Sequence, residues 1–103
     1  MNITVIDGQG GQLGSQIIKA VGAKYPDSEI TAVGTNAVAT AAMMKAGAKK
    51  VATGENPVIV ACRKADVITG QVGFVIANAL FGAITPEAAK AVGQTDAVRI
   101  LIP

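Results

Sequence analysis

Short apolar segments alternate with helix-like segments along this chain, and that order limits the folds open to it. The apolar segments are rich in valine, isoleucine and threonine and end at glycine, asparagine, aspartate or threonine. They lie at residues 3–6, 29–33, 50–52, 66–69 and 99–102. Apolar runs of this length are typical of strands buried on both faces of a parallel sheet.

The segments between these runs favour helices. Helical spacing and turn residues place the helices at residues 13–24, 37–46, 57–64, 74–80 and 86–93. Thr35 or Asn36, Asn56 and Thr85 precede three of them as candidate N-caps. Residues 58–61 have the propensity of a strand, but Asn56-Pro57 and the alternating order favour a helix there.

Strands separated by helices predict a parallel sheet, because parallel neighbours need a crossover connection. We therefore expect an α/β fold of the Rossmann-like, doubly wound type, with a five-stranded parallel sheet and helices on both faces. The 103 residues fit one domain.

The composition removes several kinds of chemistry. The chain has no histidine, which excludes histidine metal ligands, Ser-His-Asp triads and Cys-His pairs, and we expect no metal site. A net charge of +2 without a basic stripe, and 3% aromatic residues, argue against nucleic-acid binding.

The sequence also argues against a signal peptide and a membrane span. The amino terminus lacks the basic start of a signal peptide, and one cysteine suits a reducing cytoplasm. The uncharged stretch 67–86 has about the length of a membrane span, but glycine and polar residues divide it. We expect a cytoplasmic protein that does not contact a membrane.

A glycine-rich stretch follows the first strand and opens the first helix, which is the context of a phosphate-binding turn. The strict Gly-x-Gly-x-x-Gly pattern fails at Leu13, but Gly8-x-x-Gly11-x-x-Gly14 is present. That spacing resembles the loop of extended short-chain dehydrogenases. Through Gly10-Gly11 and Ser15 the loop is also similar to the deviant Walker loop of some ATPases. No lysine occurs before Lys19, which argues against ATP hydrolysis. The alternative is that the glycines only allow a tight turn and close helix–sheet packing.

Polar residues and glycines concentrate where the predicted strands end. Ligands of doubly wound sheets bind at that edge, where the strand order reverses. The candidate binding residues are Gly8, Gln9, Gly10, Gly11, Gln12, Leu13, Gly14, Thr35, Asn36, Thr53, Gly54, Glu55, Asn56 and Gln71. We expect them to bind a small phosphorylated ligand, a nucleotide or dinucleotide, with NAD(P) among the candidates. Thr35-Asn36 stands where NAD binders carry an acid, so the pattern does not favour one nucleotide.

Catalytic groups are few. Asp7 and Glu55 end predicted strands, and either could act as a base or merely as a capping or solvated carboxylate. Cys62 precedes two cations that would lower a thiol pKa, but its position late in the predicted helix opposes that effect. A cysteine in this position is more often a small buried packing residue. Tyr25 lacks the lysine of the Tyr-x-x-x-Lys pair of short-chain dehydrogenases.

Several motifs resemble an uncharacterised family of short Rossmann-like bacterial proteins. They stand at residues 5–11, 34–37, 46–48, 52–56, 62–66, 83–86 and 100–103. The resemblance implies a cytoplasmic bacterial protein with a Rossmann-like fold. Members of that family are expected to continue past the last strand, so a C-terminal segment would be missing here.

Two functions follow as hypotheses. The first is nucleotide or dinucleotide binding at the glycine-rich loop, and a reductase is the enzyme class that would fit. The second is a non-catalytic ligand-sensing or assembly subunit, with the apolar strand 100–102 at a sheet edge and the chain forming a homo-oligomer.

Overall fold

The computed structural model describes all residues, Met1–Pro103, as a three-layer α/β structure. The strands are β1 (Asn2–Asp7), β2 (Glu29–Gly34), β3 (Lys50–Thr53), β4 (Val67–Gln71) and β5 (Val98–Ile102). The helices are α1 (Gln12–Lys24), α2 (Ala37–Lys45), α3 (Glu55–Lys64) and α4 (Pro86–Gln94). None of the helices has the length and apolar composition that a bilayer crossing requires.

The strands form one parallel sheet in the order β3-β2-β1-β4-β5. The α/β, Rossmann-like fold predicted from the sequence is therefore confirmed. The chain moves outward from β1 to β3 and then crosses back to β4, so the strand order reverses between β1 and β4. This reversal is the position at which doubly wound sheets bind ligands.

Each face of the sheet carries its own apolar core, because successive side chains of a strand point to opposite faces. Val5 packs with Ile18 of α1 and Met43 of α2 on one face. Ile6 packs with Val58 of α3 and residues of α4 on the other. We call these the α1/α2 face and the α3/α4 face. Full burial of one such aliphatic side chain contributes about 1.5–3 kcal/mol, so both layers are held by ordinary apolar packing.

Two predicted helix caps are confirmed. Asn36 Oδ1 accepts from the Ala39 N–H at 2.8 Å and caps α2. Thr85 Oγ1 accepts from the Ala88 N–H at 3.2 Å and caps α4. The helical interpretation of residues 58–61 is also confirmed, since they lie inside α3.

The cap predicted at Asn56 is wrong. Helix α3 begins at Glu55 behind Gly54, whose φ of 115° turns the chain in a way that favours glycine. Pro57 then lies in the first turn, where its missing N–H breaks no helical hydrogen bond.

The helix predicted at 74–80 is wrong as well. A short 3₁₀ segment, Val72–Val75, is followed by turns. Asn78, Leu80 and Phe81 adopt left-handed φ angles between 56° and 66°. The Asn78 N–H donates to the Ile84 carbonyl at 2.6 Å and closes the segment into a loop. Phe74 and Ile84 are both buried at its base, so the chain must turn back between them.

Candidate functional site

Asp7 ends β1 and organises the glycine-rich loop. Its Oδ1 accepts from the Gly8 N–H at 2.8 Å, and its Oδ2 accepts from the Gly14 N–H at 2.7 Å. Gly14 lies in the first turn of α1, so the buried carboxylate satisfies a helix donor that would otherwise lack a partner. Both oxygens of Asp7, which the sequence nominates as a base, are therefore engaged in local structure.

The backbone between Gln9 and Leu13 presents donors. Gln9 and Gly11 have φ angles of 50° and 73°, while Gly10 between them is not left-handed. The Gly11 N–H donates to the Gly8 carbonyl at 3.0 Å and closes a turn. The N–H groups of Gln9, Gly10, Gln12 and Leu13 make no hydrogen bond within the chain.

A side chain would have different steric consequences at each glycine of the loop. A Cβ on Gly8 would lie 2.6 Å from Thr35 Oγ1, and one on Gly14 would lie 2.6 Å from Met43 Sδ. A Cβ on Gly11 would lie 2.8 Å from the Ala39 carbonyl oxygen of α2. These glycines allow close packing. Only Gly10 faces open space, since nothing lies within 4 Å of its Cβ position.

Thr35 follows β2 and lies beside the loop. Its N–H donates to the Asp7 carbonyl at 3.0 Å. Its hydroxyl oxygen Oγ1 is buried and has no hydrogen-bond partner. Buried hydroxyls are nearly always hydrogen-bonded, so an unsatisfied one beside a candidate binding loop needs an explanation.

The side chain of Asn36 makes its hydrogen bonds within the protein. Besides capping α2, it donates through Nδ2 to the Gln9 carbonyl at 3.1 Å. This contact ties the loop to the end of β2 and uses the side chain that could otherwise reach a ribose.

A cavity of about 130 Å³ opens next to Thr35 on the α3/α4 face. Its lining joins the predicted residues Thr35, Gly54 and Glu55 to Val58, Phe74, Ala83, Ile84, Thr85 and Ala88, which were not predicted as site residues. Phe74 lies in the segment wrongly predicted as helix, and Ile84 lies four residues after the end of that segment. Thr85 has a sequence signal only as a cap. No local pattern could have assigned these residues to the site, because tertiary packing brings them there.

The remaining predicted residues are dispersed. Thr53 Oγ1 is 2.7 Å from Thr40 Oγ1, and Gln71 ends β4 half-buried at the edge of the switch point. Asn56 lines a different groove, between α3 and the strands β1, β2 and β3. Gln12 and Leu13 contribute through their backbone in the first turn of α1.

Cys62 lies in the core between α3 and α4, away from the loop. Burial raises the pKa of its thiol to about 11. At neutral pH the thiolate is therefore scarce, although the thiolate is the reactive form.

Comparison with known proteins gives one family. No curated protein and no solved structure matches the chain. A family model described as "Domain of unknown function (DUF3842)" matches residues 2–103. Because this match covers nearly every residue, the chain belongs to the DUF3842 family.

Proposed function

We propose that the protein binds a nucleotide or a related small phosphorylated molecule at the carboxyl end of β1, with its phosphate on the glycine-rich loop. The observation that carries the proposal is the set of unpartnered N–H groups at Gln9, Gly10, Gln12 and Leu13. They lie at the amino terminus of α1, where the helix dipole favours an anion. The strand order reverses at this point of the sheet.

Two features beside the loop support the proposal. The open side of Gly10 leaves room for a ligand to approach the backbone. The buried Thr35 hydroxyl has no partner in the chain, and a ligand or its bound water would supply one.

The carboxylate of Asp7 limits how much negative charge a ligand can place on the glycine-rich loop. Its buried carboxylate accepts from the first turn of α1 and offsets part of the helix dipole. We therefore favour a ligand with a diphosphate shared along the loop, as in a dinucleotide such as NAD(P), over one with a compact triphosphate. Recognition of ribose by an acid at the end of β2 is not part of the proposal, because Thr35 and Asn36 stand there.

The proposal places the protein in a reducing bacterial cytoplasm. The family resemblance implies this location, and the one free cysteine supports it. The proposal concerns binding. If a reaction follows, a reductase fits a nicotinamide cofactor.

A thermal-shift series with NAD, NADP, FMN, ATP and a sugar nucleotide tests the proposal. A ligand at 100 times its Kd stabilises the fold by about 2.7 kcal/mol, which raises the Tm of a domain this small by several degrees. We expect a shift with at least one of them. A series without any shift overturns the proposal.

Two variants of Gly10 with side chains of the same shape test whether the loop binds an anion. Gly10→Asp places a negative charge on the open side of the loop, and Gly10→Asn places a neutral side chain of the same shape there. We expect Gly10→Asp to reduce the ligand-induced shift more than Gly10→Asn. Gly11→Val is unsuitable, because its side chain would collide with the backbone of α2.

We infer an assembly role as a second candidate function. Strand β5 is at the edge of the sheet, and its Val98 and Ile100 are 62% and 55% exposed. An apolar edge strand with free backbone groups favours association with another chain.

A further inference from the structure

The cavity beside Thr35 adjoins the glycine-rich loop. Gly8 and Thr35 directly follow Asp7 and Gly34, which are paired between β1 and β2. The Thr35 N–H donates to the Asp7 carbonyl, and a Cβ on Gly8 would lie 2.6 Å from Thr35 Oγ1. Thr35 therefore borders the loop on one side and lines the cavity on the other.

The volume of the cavity limits the group that can enter it. The cavity measures about 130 Å³. An apolar protein cavity of about 150 Å³ takes up one benzene molecule. The cavity therefore has room for one six-membered ring, whereas the two fused rings of a purine or the three of a flavin exceed it.

The lining of the cavity is mostly apolar and carries no cation. Val58, Phe74 and Ile84 line it and are at most 1% exposed. Glu55 is the one charged residue of the lining, and its carboxylate disfavours an anionic group there. A phosphate therefore stays on the loop N–H groups, and the part of the ligand that enters the cavity is uncharged.

Thr35 favours a ring that forms hydrogen bonds over a plain hydrocarbon. Its buried Oγ1 has no partner within the chain, which costs free energy. A hydroxyl can donate and accept, so a ring carbonyl or a ring N–H placed against Thr35 would satisfy it. Glu55 is exposed at the same cavity and can accept from a second N–H. A ring with amide groups on its edge offers both partners.

We infer that this cavity is the ring-binding subsite of the nucleotide site and selects one uncharged six-membered ring with an amide edge over a purine. The inference rests on the proposed binding of a phosphorylated ligand at the glycine-rich loop. Two kinds of ligand carry such a ring next to a diphosphate: a pyrimidine nucleoside diphosphate and a reduced nicotinamide dinucleotide.

Isothermal titration calorimetry with two matched pairs of compounds tests the inference. UDP and ADP differ only in the base. NADH and ADP-ribose share the adenosine diphosphate ribose, and only NADH carries the nicotinamide ring. We expect UDP to bind several-fold more tightly than ADP, or NADH several-fold more tightly than ADP-ribose, and the pair that differs identifies the ring. Equal affinities within both pairs overturn the inference.

Inorganic pyrophosphate separates a failure of this inference from a failure of the proposed function, because it tests the loop alone. If pyrophosphate and all four nucleotides bind and weaken together in Gly10→Asp, but neither pair shows a preference, the loop binds phosphate and the subsite is wrong. If neither pyrophosphate nor any nucleotide binds, the proposed function and this inference both fail.

A substitution at the exposed side of the cavity tests where the ring binds. Ala83→Leu places a larger side chain on a lining residue that is exposed. We expect several-fold weaker binding of the preferred ring compound and unchanged binding of pyrophosphate. Ala77→Leu is the control, because Ala77 is exposed in the same loop and does not line the cavity. It should change neither affinity.

Thr35→Val tests the hydroxyl. It replaces the unpartnered group with a methyl group of similar size, so we expect weaker binding of the ring compound without a lower Tm. A lower Tm would show that the chain itself uses the hydroxyl and would contradict the inference. Unchanged affinity for the ring compound in both Thr35→Val and Ala83→Leu contradicts it too.

Discussion

At the scale of single residues, Asp7 shows how a candidate base can be a structural group. Its two oxygens hold the Gly8 and Gly14 N–H groups, and the residue is buried. Hydrogen bonds to charged groups contribute about 1.5–3 kcal/mol each, and a buried donor left unpaired costs more than the bond itself contributes.

Asp7→Asn should therefore destabilise the protein. The amide keeps one acceptor but turns an NH₂ group toward an N–H donor, so we expect a loss of about 2 kcal/mol in the free energy of unfolding. Urea denaturation measures it. Glu55→Gln is the control, because Glu55 is exposed and its replacement should change stability by less than about 0.5 kcal/mol. Similar losses in both variants would contradict the assigned role of Asp7.

Cys62 leads to a prediction about pH. Burial raises the pKa of the thiol from 9.0 to about 11, so the unfolded chain loses this proton at a lower pH than the folded chain. The stability that the neutral thiol contributes is complete below pH 9 and is lost as the pH rises toward 11.

We expect wild-type protein to lose more stability than Cys62→Ala between pH 9 and pH 11. Urea denaturation of both proteins across this range measures the difference in stability. The other titrating groups are the same in both proteins, so their contributions to the pH dependence cancel. In the same range the folded thiol should react with a chromogenic disulfide much faster than at pH 7. A constant stability gap between the two proteins would show that the thiol has its ordinary pKa.

At the scale of elements, the segment between β4 and α4 marks the limit of sequence reasoning. Residues 74–80 are compatible with a helix by composition, but the structure has turns with left-handed backbone at Asn78, Leu80 and Phe81. Tertiary packing of Phe74 and Ile84 decides this conformation, and no local pattern encodes it.

Substitutions of Phe81 test whether this segment has the observed left-handed turn or a helical backbone. Its side chain is fully exposed and its φ is 57°, so the residue adds backbone strain and no packing. Phe81→Gly should be about 1 kcal/mol more stable than Phe81→Ala, because glycine adopts left-handed φ without strain. In a helix the order is reversed, since glycine costs about 1 kcal/mol relative to alanine. Thermal or urea unfolding of the two variants gives the sign.

The remaining elements were predictable because local signals agreed with the tertiary structure. Apolar runs predicted the strands, and Asn36 and Thr85 marked helix boundaries. The glycine-rich loop was predictable as a candidate site by its place after β1. Its cavity was not, because Ile84 reaches it only through the chain reversal. The unpartnered hydroxyl of Thr35 could not be predicted from the sequence either, because the packed structure decides which groups find a hydrogen-bond partner.

At the scale of the whole molecule, the two edges of the sheet differ. Strand β3 is short, and Lys49 and Lys50 stand just before it and at its first position. Short edge strands with lysines are one way in which natural proteins protect an edge from pairing. Strand β5 has one charge, Arg99, and its guanidinium donates to the Gly93 and Thr95 carbonyls of its own chain at 2.8 and 3.3 Å. The β5 edge therefore carries one cation that is held by its own chain, whereas two lysines stand at the start of β3.

The geometry of β5 fits a second copy. The Val98 N–H bonds to β4, so alternation leaves the N–H and C=O groups of Arg99 and Leu101 pointing outward. In an antiparallel pair centred on Ile100, Arg99 faces Leu101 of the partner, and these groups bond reciprocally. The apolar residues Val98 and Ile102 face each other in the same register, so the edge is complementary to itself.

Ile100→Lys tests this pairing, because it places two ammonium groups against each other at the symmetry axis. We expect wild-type protein to form dimers in a light-scattering concentration series and Ile100→Lys to be monomeric. Val38→Lys is the control, since Val38 is an equally exposed apolar residue on α2, far from β5. It adds the same charge and should leave the dimer intact. Wild-type protein that stays monomeric at high micromolar concentration, or a dimer that Ile100→Lys does not weaken, excludes β5 as the interface. Because the glycine-rich loop is at the carboxyl end of β1, two strands away from β5, dimerisation should leave the ligand-induced thermal shift unchanged.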